Sequence, residues 1–74
     1  MAKLVGSRFM ITQQLKKVFR EGIPRIQTFA EAQQMEAELR RARSGKIFDD
    51  KTYLELHNGI LQVCRLQGWD AADL

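Results

Sequence analysis

Cysteine, histidine, proline, tryptophan and tyrosine each occur once in this 74-residue chain, and each scarcity closes off a kind of structure or chemistry. Cys64 alone can form neither an intramolecular disulfide nor a multi-cysteine zinc cluster, which fits a reducing compartment. The glycines at 6, 22, 45, 59 and 68 are too scattered to form a phosphate-cradling loop. Long apolar runs are missing too. The longest is Phe9-Met10-Ile11, against the roughly 20 residues that a membrane helix needs. Met1-Ala2-Lys3-Leu4-Val5-Gly6 lacks the apolar stretch of a secretory signal, so a cytoplasmic protein without membrane attachment is expected. Acidic residues are sparse at the start. Residues 1–25 carry a net charge of +5 and residues 26–74 carry −2, so attraction for an anionic partner should come from the first third.

What is present is globular: 45% of residues are apolar and 28% charged. A core built from so short a chain supplies only a few kcal/mol of stability, so partner binding can matter to it. No repeat or low-complexity stretch divides the chain. One domain, 1–74, is expected, with loose ends at about 1–6 and 70–74.

Gly22-Ile23-Pro24, Ser44-Gly45-Lys46 and Gly68 each follow a run of helical period, where a left-handed C-terminal residue is expected. The first helix should cover about 8–21, with Ile11, Leu15, Val18 and Phe19 as one stripe and Lys16, Lys17 and Arg20 away from it. The second opens on Thr28-Phe29-Ala30-Glu31, a capping box, and buries an arc of Phe29, Ala32, Met35, Leu39 and Ala42. Its glutamates precede Arg40, Arg41 and Arg43, and Glu36 and Arg40 form an i,i+4 pair. The third should run from about 50 to 67, capped by Asp49 or Asp50, with Phe48 and Tyr53 at the spacing of a hydrophobic staple.

At 100° per residue, Leu56, Ile60, Val63, Tyr53, Cys64, His57, Leu61 and Leu54 fill about half of that third helix. A face so wide needs more than one neighbour. The short link between helices 2 and 3 requires an antiparallel hairpin. The fold class is therefore all-α: a small three-helix bundle with helix 3 central.

Chemistry is thinly represented. His57 and Cys64, seven residues apart on one helix, lie about 10 Å apart, too far to share a zinc. They are read as a core histidine and a core thiol, without an orienting carboxylate on that face for nucleophilic catalysis. Asp49, Asp50 and Glu55 are read as capping and solvated groups rather than a magnesium site. No cofactor and no enzymatic activity are expected.

The remaining candidates are surfaces. Lys16, Lys17 and Arg20 suit an acidic partner or phosphates, and Asn58, Gln62 and Arg65 form a row able to reach base edges. Arg40 and Arg43 belong to a further candidate cluster for partner binding, and Arg43 lies where an interface arginine would sit. Gly59, in mid-helix, suggests close approach by a neighbour or partner. Trp69 is either folded back onto the bundle or a partner anchor. The expected function is a small non-catalytic regulator or inhibitor that binds another protein, with a homodimer as a second form of partner. The alternative is a nucleic-acid-binding regulator using helix 1. The two are separated by whether the basic clusters merge on one face or are broken by carboxylates.

Overall fold

A computed structural model describes the backbone of residues 2–74 and the side chains of residues 10–74. Three helices follow in order: α1 (Ala2–Gly22), α2 (Phe29–Ser44) and α3 (Asp50–Gln67). One 3-10 turn, Ile23–Arg25, links α1 to α2, and another, Ala71–Asp73, follows α3.

The start of α2 forms as its sequence dictates. Thr28 accepts from the Glu31 amide at 3.1 Å, and the Glu31 carboxylate accepts from the Thr28 amide at 3.0 Å. Asp49 caps α3 by accepting from the Thr52 amide, and Phe48 and Tyr53, at staple spacing, are both buried. Hydrogen bonding by Thr52 holds the Asp49 carboxyl below its ordinary pKa, with Lys16 and Lys51 adding to the effect.

The helix ends divide. Gly68 adopts the left-handed conformation, and the amides of Gly68 and Trp69 bond back to the carbonyls of Arg65 and Cys64. Gly22 stays right-handed and passes directly into the 3-10 turn. After α2 the left-handed residue is Lys46, at φ 61°, rather than Gly45, whose φ is −79°. The Lys46 and Ile47 amides there bond back to Arg43 and Ala42. A side chain at left-handed φ costs about 1–2 kcal/mol, partly offset by the greater unfolded-state freedom of glycine. Lys46→Gly should therefore stabilise the protein by about 0.5–1 kcal/mol, a rise of roughly 3–6 °C in melting temperature. A lower melting temperature by circular dichroism would contradict this.

α2 and α3 form the principal interface, and α3 is central. Leu39, Ile60 and Cys64 are wholly excluded from solvent within it. The second flank of α3 is covered mainly by the Ile23–Arg25 turn and the C-terminal turn. Residues 70–74, expected to be loose, instead pack Ala71 and Leu74 against the core.

α1 departs most from expectation. It begins at Ala2 rather than near residue 8. Phe19 meets Phe48 edge-on at the α2–α3 turn, with ring centroids 5.8 Å apart, while Ile23 already lies over Gly59 in the middle of α3. The helix thus enters the bundle from beyond the hairpin turn. The molecule measures 48 Å along its long axis, whereas the 18 residues of α3 span roughly 27 Å. The earlier part of α1 therefore overhangs. Of the expected stripe, Leu15 and Phe19 pack against the bundle, but Ile11 is 56% and Val18 62% exposed. On α3, Leu54 likewise lies outside the buried arc.

Candidate functional site

The one buried charged side chain among the described residues is Glu36, 1% exposed, at the α2–α3 interface. Its carboxylate accepts from the Tyr53 hydroxyl at 2.7 Å and from Arg40 Nε at 3.0 Å, both through Oε2. His57 Nδ1 lies 2.7 Å from Oε1. Tyr53 and His57, one turn apart on α3, stack with their ring planes 13° apart. A buried carboxylate is tolerated only when its lone pairs are satisfied, and here three donors converge on it. No buried side-chain polar atom among the described residues lacks a partner.

The face of α3 that carries His57 holds no carboxylate, but Glu36 supplies one from the neighbouring helix. His57 is at the edge of the core, with its side chain 22% exposed. A carboxylate on Nδ1 orients an imidazole and leaves Nε2 available, as in many acid–base sites. Glu36 is, however, the partner of His57 among the described residues, and Cys64 lies in the apolar core. Among those residues no three His, Cys, Asp or Glu side chains converge as metal ligands. Through Glu36 the cluster joins the side chains of α2 to Tyr53 and His57 of α3.

Burial raises the pKa of Tyr53 above its ordinary value, and the hydrogen bond to Glu36 adds to this against an opposing contribution from Arg40. An acid raised by folding is favoured in its neutral form. Its stabilisation is thus complete below the unfolded pKa of about 10 and is lost as pH rises through the folded value. Burial raises the Cys64 thiol too, so it acts in the same direction. Tyr53 is the sole tyrosine, so tyrosinate absorbance follows it alone. Its midpoint in the folded protein should lie above about 10, and a midpoint at or below that value would contradict the geometry.

The basic candidates do not merge into one free positive surface. Arg40 is bound to Glu36. Arg43 pairs with Asp50 at 3.0 Å and lies over the Tyr53 ring, 4.7 Å from its centre. Both line a cleft at the hairpin turn with Lys46, Asp49 and Asp50, so carboxylates stand among its cations. Lys16 is half-buried and acts on Asp49, whereas Lys17 and Arg20 are exposed. Asn58, Gln62 and Arg65 are exposed on α3 as expected, with Glu55 exposed just before them.

A Cβ at Gly59 would stand 3.4 Å from Ile23 Cδ1, at van der Waals distance. Close approach is met by the turn after α1. Trp69 folds back, half-buried, with its ring edge-on to Phe29 at 5.9 Å.

Beside Gly59 lies a feature the sequence reading missed, a groove of about 410 Å³ lined by Ile23, Pro24, Ile26, Val63, Leu66 and neighbouring glutamines. Leu66, 78% exposed, stands at this groove. Proline beside isoleucine just before a helix was its only signal. No described helix is long and apolar enough to cross a membrane. No known protein family, curated protein or solved structure matches this chain.

Proposed function

We propose that this protein is a small non-catalytic regulator or inhibitor that acts by binding another protein. The observation that carries the reading is exposed apolar side chain in two places: Met10, Ile11 and Val18 along α1, and Leu66 at the groove beside the Ile23–Arg25 turn. Single exposed apolar residues are ordinary on a monomer. Several along one helix, together with an apolar groove, are the usual setting for a partner.

The nucleic-acid reading draws on exposed Lys17 and Arg20 and the net +5 of residues 1–25. Two observations weigh against it. Ile11 and Val18 expose apolar side chains on the same helix that gain nothing from phosphate, and Asp49 and Asp50 stand beside the cations at the hairpin turn. Ile23 of the same chain lies against Gly59, so the close approach there is met within the chain.

Affinity capture from the native host, with and without nuclease, tests the reading. A protein held in stoichiometric amount, insensitive to nuclease and reduced by either Val18→Asp or Leu66→Asp, supports it. Recovery of nucleic acid, with affinity falling steeply as salt rises, would favour the alternative.

A further inference from the structure

We infer that the exposed flank of α1 is the binding element, and that it lies as an amphipathic helix in an apolar groove rimmed by carboxylates on the partner protein. This rests on the protein-binding reading above and adds to it the element used and the chemistry of the partner.

Three observations converge on α1. Its apolar flank is unpartnered: Ile11 and Val18 lie two turns apart, 56% and 62% exposed, with Met10 beside them. Its position is accessible, because the helix is anchored near Phe19 and overhangs the hairpin turn. Its charge is predominantly positive. Lys3, Arg8, Lys16, Lys17 and Arg20 lie on this helix with Glu21 as the only acid, and its first turn has no acidic residue. A helix that offers apolar anchors seven residues apart among basic residues fits a helix-binding groove whose floor is apolar and whose walls are acidic.

Charge decides among the occupants. A second copy would bring another strongly basic α1 against the first. The chain's own groove offers Ile23, Ile26, Val63 and Leu66 but no carboxylate to offset such a helix. Anionic lipid would supply the charge. A helix lying on a membrane must, however, turn its whole apolar face to the lipid, and Leu15 and Phe19 of this face are already packed in the protein. A partner protein with an acidic rim satisfies both the anchors and the charge.

The test places a photo-crosslinking amino acid at Ile11, Val18 or Leu66 of the full chain in its native host, and the adducts are mapped. The expected result is one partner protein crosslinked from positions 11 and 18, with the adduct on apolar residues flanked by aspartate or glutamate. With that purified partner, Ile11→Asp and Lys17→Glu should each weaken binding by about ten-fold or more. Raising salt from about 50 to about 500 mM should weaken the wild-type complex. Both substituted residues are exposed, and unchanged circular dichroism would establish that each variant is folded.

A partner crosslinked from position 66 alone overturns this inference but leaves the protein-binding reading standing. Adducts with the chain itself, or Ile11-dependent sedimentation with phosphatidylserine vesicles, would overturn it in favour of a second copy or a membrane. Absence of a protein adduct from all three positions overturns both readings.

Discussion

Glu36→Ala should lower stability by roughly 2–4 kcal/mol, enough to leave a domain of this size largely unfolded in mild denaturant. The loss comes from what the carboxylate leaves behind. Arg40, with 56% of its side chain exposed, recovers water when Glu36 is removed. The Tyr53 hydroxyl is buried and loses the acceptor for its proton, Glu36 Oε2, because the neighbouring Arg40 guanidinium can only donate. A stranded buried hydroxyl costs about 1–3 kcal/mol, and lost packing adds to this. Removing donor and acceptor together tests the account. Glu36→Leu should be strongly destabilising, whereas Glu36→Leu with Tyr53→Phe should recover much of the loss, since an apolar pair of similar volume is often no less stable than a buried polar one. Urea unfolding followed by circular dichroism measures both. A double variant no more stable than Glu36→Leu would show that the hydroxyl is not the source of the cost.

The same cluster shows where sequence reasoning reached and where it stopped. The Glu36–Arg40 pair is plain from spacing, and so are the arcs of α2 and α3. These depend on local periodicity, which a helix cannot escape. What was missed is that Glu36 falls inside the arc of α2, four residues after Ala32 and three before Leu39, and not on the solvated face. Its register was legible, but a carboxylate on an apolar arc acquires meaning only when the opposing helix is known to supply Tyr53 and His57 at that level. Donors and acceptor lie 17 and 21 residues apart, and nothing local joins them.

The errors at glycines have a different origin. Gly45 and Lys46 are adjacent, and the turn could place its left-handed residue on either. Bonding of the Ile47 amide back to Ala42 selects Lys46. For α1 the periodic stripe was read correctly as helical, but its burial was overestimated. Periodicity reports that a face is apolar and not whether the chain folds anything over it. The short hairpin covers Leu15 and Phe19 and has no length left for Ile11. The part of the molecule most difficult to read from sequence is thus the part proposed to meet a partner, and for one reason. A face completed by another molecule has the same pattern as a face completed within the chain.

The attachment of α1 should depend on Phe48. This residue is 2% exposed and is the largest side chain wholly within the core. It sits in the link between α2 and α3, tied by its amide to the Ala42 carbonyl, and its ring receives Phe19 from α1 at an interplanar angle of 69°. Phe48→Ala removes an edge-to-face aromatic contact and opens a cavity where three helices meet, for a loss of about 3–5 kcal/mol. That is comparable to the whole stability expected of such a domain, so Phe48→Ala should be unfolded or nearly so. A milder variant reveals the order of events. Phe48→Leu should cost roughly 1–2 kcal/mol and leave the α2–α3 hairpin folded. Because α1 is held mainly through its second half, its amides should lose hydrogen-exchange protection before those around Leu39 and Ile60, which lie in the best-covered part of the core. Equal loss across all three helices in Phe48→Leu would mean that α1 is held by contacts other than the Phe19–Phe48 pair. Leu66→Ala is the control: at 78% exposure it should change stability by no more than about 0.5 kcal/mol.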